Sequence, residues 1–356
     1  MYSVTAIYPP IGFSERGRRD NNEDYVLPAP GKAVIQDRLF IVCDGVGGAQ
    51  RGELASLLAG EAMFRYFKTH PNVPVTAPFV RSALQSVEEA FDQAIASEPD
   101  ANLTGMSTTL TVLSLHDQGV TIGHVGDSRV YHIRGEAILH QTTDHSLVNE
   151  LIRAKQITPE EALSHPRRNV ITRAIQGSGR PSSITVYITQ DIAPDDYFFL
   201  CTDGVLECLK NEDLLRIVST ATLTDSQKVS HILRTCSDGS RDNYSGYLIR
   251  VAEVMPLAPL PDPVEPMAQP SPHALPRHSA QPSSQPLPTH PAQSATQANQ
   301  PLVQPSPQPS PQPMTQAPPV RPAMPTSQPE PAAGEFSFLI DDDTPPERGW
   351  LQRLFS

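Results

Sequence analysis

Apolar positions repeat at two spacings along residues 1–255. Helical spacing appears twice, with Leu54, Leu57, Leu58, Met63 and Phe64 within Arg51–Lys68, and Leu84, Val87, Phe91 and Ile95 within Arg81–Ser97. Runs of alternating or continuous apolar residues predict strands over Val4–Ser14, Arg38–Cys43, Thr108–Leu115, Gly119–Val125, Arg129–Arg134, Ser183–Tyr187 and Tyr197–Cys201. Shorter helices are expected at Leu214–Ser219 and Gln227–Thr235, followed by a closing strand at Tyr244–Val251. Strands grouped with strands and helices with helices indicate an α+β chain, with helices outside antiparallel sheets. Residues 145–177 depart from this pattern. LVNELIRAKQ is amphipathic, and Thr158, Pro159 and Glu161 are spaced as a capping box with proline in the first turn, predicting a small helical flap that either covers an edge of the sheets or borders a functional site.

Four apolar runs stop at an aspartate: LFIVCDGVGG at Asp44, IGHVGDSR at Asp127, YFFLCTDGV at Asp203 and RDNYSG at Asp242. Each reads as a strand ending in a tight turn, so that the carboxylate projects from a sheet rim. One Asp-Gly pair is common turn chemistry. Four such rims gathered by the fold form an oxygen-only pocket that repels itself unless hard divalent cations neutralise it. Upstream, DNNEDYV adds Glu23 and Asp24, which strand alternation sends to opposite faces, and Arg19 adds a guanidinium suited to a phosphate. No GK[ST] follows the glycines of DGVGG, which argues against a nucleotide P-loop.

A net charge of −12 argues against nucleic acid as the main partner. Cys43, Cys201, Cys208 and Cys236 form no CxxC pair and read as free, mostly buried thiols of a reducing compartment. With no signal-like start and no apolar run near the roughly 18 residues of a membrane span, a cytoplasmic protein without a transmembrane segment is expected.

In order, RDNNED, DGVGG, GMSTT, GDSR, TTDHS, NVITRAI, LCTDG and DNYS resemble the motifs of the metal-dependent serine/threonine protein phosphatases, the PPM or type 2C family, in its bacterial form. The resemblance spans nearly all of residues 1–255. It implies a β-sandwich of two antiparallel sheets flanked by helices, with two Mn²⁺ or Mg²⁺ ions at one end and a more weakly held third. It further implies that Asp44 bridges the two ions, Gly45 offers its carbonyl, and Asp203 and Asp242 bind the second ion. Glu23 and Asp24 would act through water, Asp127 would serve the third site, and Arg19 would grip the substrate phosphate. The implied reaction is hydrolysis of phosphoserine and phosphothreonine in proteins, by in-line attack of a hydroxide bridging the ions. A Ser/Thr kinase would supply the substrates. Val46 stands where many eukaryotic members carry His, and Ser245 where Thr is more usual. The leaving-group acid is thus unassigned, with His124, His145 and His165 as helpers to examine. An inert scaffold that binds phosphoproteins is the alternative function.

Of 38 prolines, 24 fall between Pro256 and Pro331, so residues 256–333 are expected to be a disordered Pro/Gln/Ser-rich linker. Residues 334–356 carry Trp350, Leu351, Leu354 and Phe355 at helical spacing, suggesting a short motif that docks on a partner.

Overall fold

The computed structural model describes residues 2–47, 49–97 and 103–256, with Ala49 and Gln50 described by backbone alone. The expectations for the linker beyond Pro256 and for the 334–356 motif fall outside these residues. Two six-stranded sheets, antiparallel throughout, face each other. The first holds β1 (Tyr2–Ile7), β2 (Ile11–Glu15), β8 (Arg129–Arg134), β9 (Ala137–Gln141), β11 (Tyr197–Cys201) and β12 (Tyr244–Pro256), ordered β1-β12-β11-β8-β9 with β2 also on β12. The second holds β3 (Asp24–Leu27), β4 (Leu39–Val46), β5 (Ser107–Thr108), β6 (Leu110–His116), β7 (Gly119–Val125) and β10 (Thr185–Thr189), ordered β10-β7-β6-β4-β3 with β5 on β4.

Strand alternation explains the uninterrupted apolar runs. On β4, Phe40 and Val42 face the opposing sheet, while Ile41 and Cys43 face α1 (Ala49–Thr69) and α2 (Ala77–Ser97). On β11, Phe198 and Leu200 point inward, while Tyr197, Phe199 and Cys201 pack against the layer of α5 (Asp203–Leu206), α6 (Asn211–Ser219) and α7 (Asp225–Gly239). A strand covered on both faces needs no polar side, so its sequence reads as continuously hydrophobic. Cys43, Cys201 and Cys236 are buried, Cys208 is half-buried, and all four are free.

The predicted strand Val4–Ser14 is two strands. Pro9 and Pro10 interrupt it, since a prolyl nitrogen has no hydrogen to give the ladder. Among the described residues no helix is long and apolar enough to cross a membrane. Within residues 145–177 lie α3 (Leu147–Arg153) and α4 (Pro159–Leu163). The capping box on α4 is complete: Thr158 N–H donates to Glu161 at 2.8 Å and Glu161 N–H to the Thr158 hydroxyl at 3.2 Å. The returning chain is tied to α2, where Asp92 accepts from Ser178 N–H at 3.1 Å.

Candidate active site

Antiparallel pairing gathers the acidic residues. β11 is the middle strand of its sheet and β4 lies between β3 and β6 in the other, and the carboxylates at their ends, Asp44 and Asp203, act on one another. β3 is antiparallel to β4, so its first residue, Asp24, sits directly opposite Asp44. β12 and β8 are antiparallel to β11, and their starts flank Cys201, bringing Asp242 and the Asp127 turn to the residue that follows, Thr202, and to Asp203. Sequence pattern placed Asp44, Asp127, Asp203 and Asp242 in tight turns, and the structure corrects two of these placements. Asp44 lies within β4, which continues to Val46, and Asp203 opens α5. In both cases the carboxylate still emerges at the rim.

The backbone around Asp44 is pinned. Its N–H donates to the Thr109 hydroxyl at 3.0 Å, and its carbonyl accepts from Thr109 N–H and the Thr108 hydroxyl, both at 2.9 Å. This gives the GMSTT motif a structural task that its sequence did not disclose. Gly45 N–H donates to the Glu23 carbonyl at 3.1 Å. Asn243, also unmarked by sequence reasoning, is the hub of the opposite wall. Its side chain accepts from Glu23 N–H at 2.9 Å and donates to the carbonyls of Arg16 and Asn21 at 2.7 and 2.8 Å. Asp24 accepts from the Thr202 hydroxyl at 3.0 Å. Thr202 in turn exchanges bonds with the backbone of Ser245, whose hydroxyl meets Ser14 at 2.9 Å. Asp24 therefore faces the first sheet while Glu23 lies against α1, the divergence expected from alternation. Arg19 donates to Asp242 at 2.5 Å, and Val46 is 40% exposed at the rim.

Close backbone approach closes the site. A Cβ at Gly52, in the first turns of α1, would lie 1.9 Å from the Glu23 carboxylate. One at Gly204 would lie 1.9 Å from the Asn243 carbonyl, and Asp242 follows within 3.3 Å. Gly204→Ala should thus push the Asp242–Asn243 turn away from Asp203, at a cost of about 1–3 kcal/mol from overpacking. The expected outcome is a lower Tm with a raised concentration of divalent cation needed for half-maximal turnover. Unchanged cation dependence would mean that this contact does not set the Asp203–Asp242 geometry.

The electrostatics mark the carboxylates as mutually repelling. Burial, then Asp203, Asp24, Asp127 and Asp242, push Asp44 well above the usual carboxylate range. Burial also leads the shift of Asp24, raised to about 8, with Asp203 and Asp242 adding to it. Asp127 rises to about 7 through burial, Asp203 and Asp144. Asp203 reaches about 6, lifted by burial and Asp242 and restrained by a hydrogen bond to Asp44. Asp24 Oδ1 and Asp203 Oδ1 are buried without any hydrogen-bond partner. An orphaned buried carboxylate oxygen is costly, and two of them in one cluster of interacting carboxylates fit the demand of hard cations for oxygen ligands. Among the described residues no three His, Cys, Asp or Glu side chains already form a closed metal cage. An arrangement that relies on the Gly45 carbonyl and on carboxylates acting through water does not require one.

The histidines lie elsewhere. His124 and His145 stack on each other at 4.5 Å. His145 accepts from Gly126 N–H at 3.1 Å, and His165 accepts from Arg167 N–H within the flap. All three are held in structural bonds.

Known proteins share this arrangement. The protein phosphatase 2C family model matches residues 11–238. Protein phosphatase PhpP of Streptococcus pneumoniae (strain D39) is 34% identical over 243 residues, covering 66% of this chain and 94% of that protein. The crystal structure of serine/threonine phosphatase Stp1 from Staphylococcus aureus superposes with a TM-score of 0.61 at 29% identity, covering 71% of this chain and 98% of that one. The catalytic domain of the serine threonine protein phosphatase PstP, solved with two manganese ions, gives a TM-score of 0.57 at 28% identity, covering 70% and 100%. With its sandwich, its converging carboxylates and these likenesses, the chain belongs to the protein phosphatase 2C family of bacterial-type serine/threonine protein phosphatases.

Proposed function

We propose that the chain hydrolyses phosphoserine and phosphothreonine on proteins at the carboxylate cluster, using two Mn²⁺ or Mg²⁺ ions and opposing a Ser/Thr kinase in the cytoplasm. The observation that carries this reading is the convergence of Asp24, Asp44, Asp127, Asp203 and Asp242, with two buried oxygens lacking any partner. Asp44 would bridge the ions and the Gly45 carbonyl would complete one of them. Asp203 and Asp242 would hold the second, with Glu23 and Asp24 acting through water and Asp127 serving a weaker third ion. Bound there, the cations would supply an activated water and would neutralise charge on the phosphoryl oxygens. The two ions in the PstP structure support this stoichiometry by likeness.

The protein's own groups do the rest. Thr108 and Thr109 fix the Asp44 backbone, so the carboxylate has no freedom to follow its neighbours away. Arg19, more than half exposed, is paired with Asp242 and sits at the mouth of the site. With Asp242 holding a cation, the Arg19 guanidinium would be free to clamp the substrate phosphate through two parallel hydrogen bonds. Nothing favours the inert scaffold, because every acidic position of the set is present.

The test is turnover of a phosphothreonine peptide by the full chain with Mn²⁺, Mg²⁺ or excess EDTA. Activity that survives EDTA would refute the reading. Arg19→Ala is expected to raise KM by about tenfold or more through loss of a charge-assisted contact, while retaining cation dependence. An unchanged KM would remove Arg19 from the phosphate site.

A further inference from the structure

A cleft of about 280 Å³ lies away from the carboxylates, at the edge of the sandwich where β7, β9 and β10 approach the 145–177 segment. Its floor is formed by edge strands, with His140 of β9 stacked on Tyr187 of β10 at 3.7 Å between ring centres. Arg153 from the end of α3 and Arg173 from the returning chain stand on its wall, and no Asp or Glu lines it. Asp144, which stands between the lining residues Thr143 and His145 in sequence, is already spent: both its oxygens accept from Arg129, at 2.6 and 2.7 Å. Among the described residues the polar partners of Arg173 are neutral, the Ser183 hydroxyl at 3.1 Å and His145 at 3.4 Å. Arg153, exposed, has no ion pair or side-chain hydrogen bond among the described residues.

The lining histidines add no charge. Burial, then His124, Arg173 and Arg153, drive His145 down to about 3, and burial also lowers His124 and His140. The cleft therefore holds two uncompensated guanidinium charges in a chain whose net charge is −12. Thr185 and Thr143 add further polar groups. A pair of guanidinium forks with hydroxyl donors is the recognition chemistry of a tetrahedral oxyanion.

We propose that this cleft is a second anion site, separate in place from the metal centre, binding the phosphate group of a phosphomonoester or of inorganic phosphate between Arg153 and Arg173. The site is wired to the catalytic rim. His145 accepts from Gly126 N–H and returns its own N–H to the Gly126 carbonyl at 2.9 Å, and Asp127 is the next residue. An anion seated on Arg173 thus acts on the turn that carries Asp127.

The histidine rings give a direct readout. In the full chain with Mg²⁺, the ring proton resonances of His124, His140 and His145, assigned by single His→Gln substitutions, are followed by NMR during titration with inorganic phosphate. We expect saturable shifts in the wild type and in Arg19→Ala, where the catalytic phosphate contact is lost. In Arg153→Gln the midpoint should rise by about tenfold, the loss expected for one charge-assisted contact. Arg153 is exposed and unpaired, so its replacement leaves the fold intact. A peptide with two phosphonate analogues of phosphoserine separates the two sources. Shifts at concentrations below those of inorganic phosphate identify a second phosphate of the substrate, and shifts only at equal or higher concentrations identify the free anion. Resonances that do not move, or that move identically in Arg153→Gln, overturn the proposal.

Discussion

Asp44→Asn is expected to abolish turnover while making the metal-free protein more stable. Asp44 is surrounded by four other carboxylates, and burial with their charge pushes it far above its ordinary range. At pH 7 the unfolded chain carries this group ionised, so the metal-free fold must either take up a proton or bury another negative charge. Asparagine avoids both costs, keeps the shape, and leaves untouched the backbone bonds to Thr108 and Thr109. We expect a gain on the order of 2 kcal/mol, a few degrees in Tm for a domain of this size. With cations present the ranking reverses, because the wild type gains binding energy that the amide cannot provide. Turnover should fall by a factor of about 10³ or more, since the amide supplies no charge to the cations that Asp44 is proposed to bridge. Melting curves of both proteins in EDTA and in Mg²⁺, with initial rates, decide the matter. A variant that melts below the wild type in EDTA would show that the carboxylates are not in conflict in the metal-free fold.

The same conflict explains what the sequence could and could not disclose. The helices α1 and α2 and the strands β4, β6, β7, β8 and β11 were legible because burial on one or both faces imposes a period that survives in the residue pattern. β3 and β9 were missed: each is an edge strand of only four or five residues, too short to show a period, and β9 is in addition half-buried or exposed along its length. The aspartates were legible as candidates because an apolar run that ends in a charge has few structural uses. Their partners were not. Thr109 and Asn243 act with their side chains on the backbone atoms of other residues, Gly52 acts through the absence of a side chain, and nothing in local spacing separates them from ordinary turn residues. The two arginines of the second cleft lie twenty residues apart in a segment read only as a flap. Their common target appears only once β9 and β10 close the edge beside them.

Stability of the metal-free protein is expected to fall as pH rises from about 5.5 to 8, and cations should flatten or reverse that slope. The sign follows from the direction of the shifts. Asp203 titrates at about 6, Asp127 at about 7 and Asp24 at about 8 in the fold, all above the ordinary aspartate value of 3.8 that applies to the unfolded chain. Between these limits the folded state holds protons that the unfolded state has released. Raising the pH therefore favours unfolding, by about 1.4 kcal/mol per pH unit for each proton in excess. The stabilising protonation is fully present only below the unfolded value and is lost as pH passes through 6, 7 and 8. Divalent cations held as proposed by the ionised carboxylates would displace those protons, so their affinity should rise over the same window. A series of melts in EDTA and in Mg²⁺ from pH 5.5 to 8 gives two lines that should diverge with pH. Parallel lines would mean that cations do not bind where the protons leave, and a Tm that rises with pH in EDTA would mean that the carboxylates are paired with positive charge instead of with each other. The divergence is therefore a measure of how much repulsion the fold stores until cations arrive, and it requires no knowledge of the substrate.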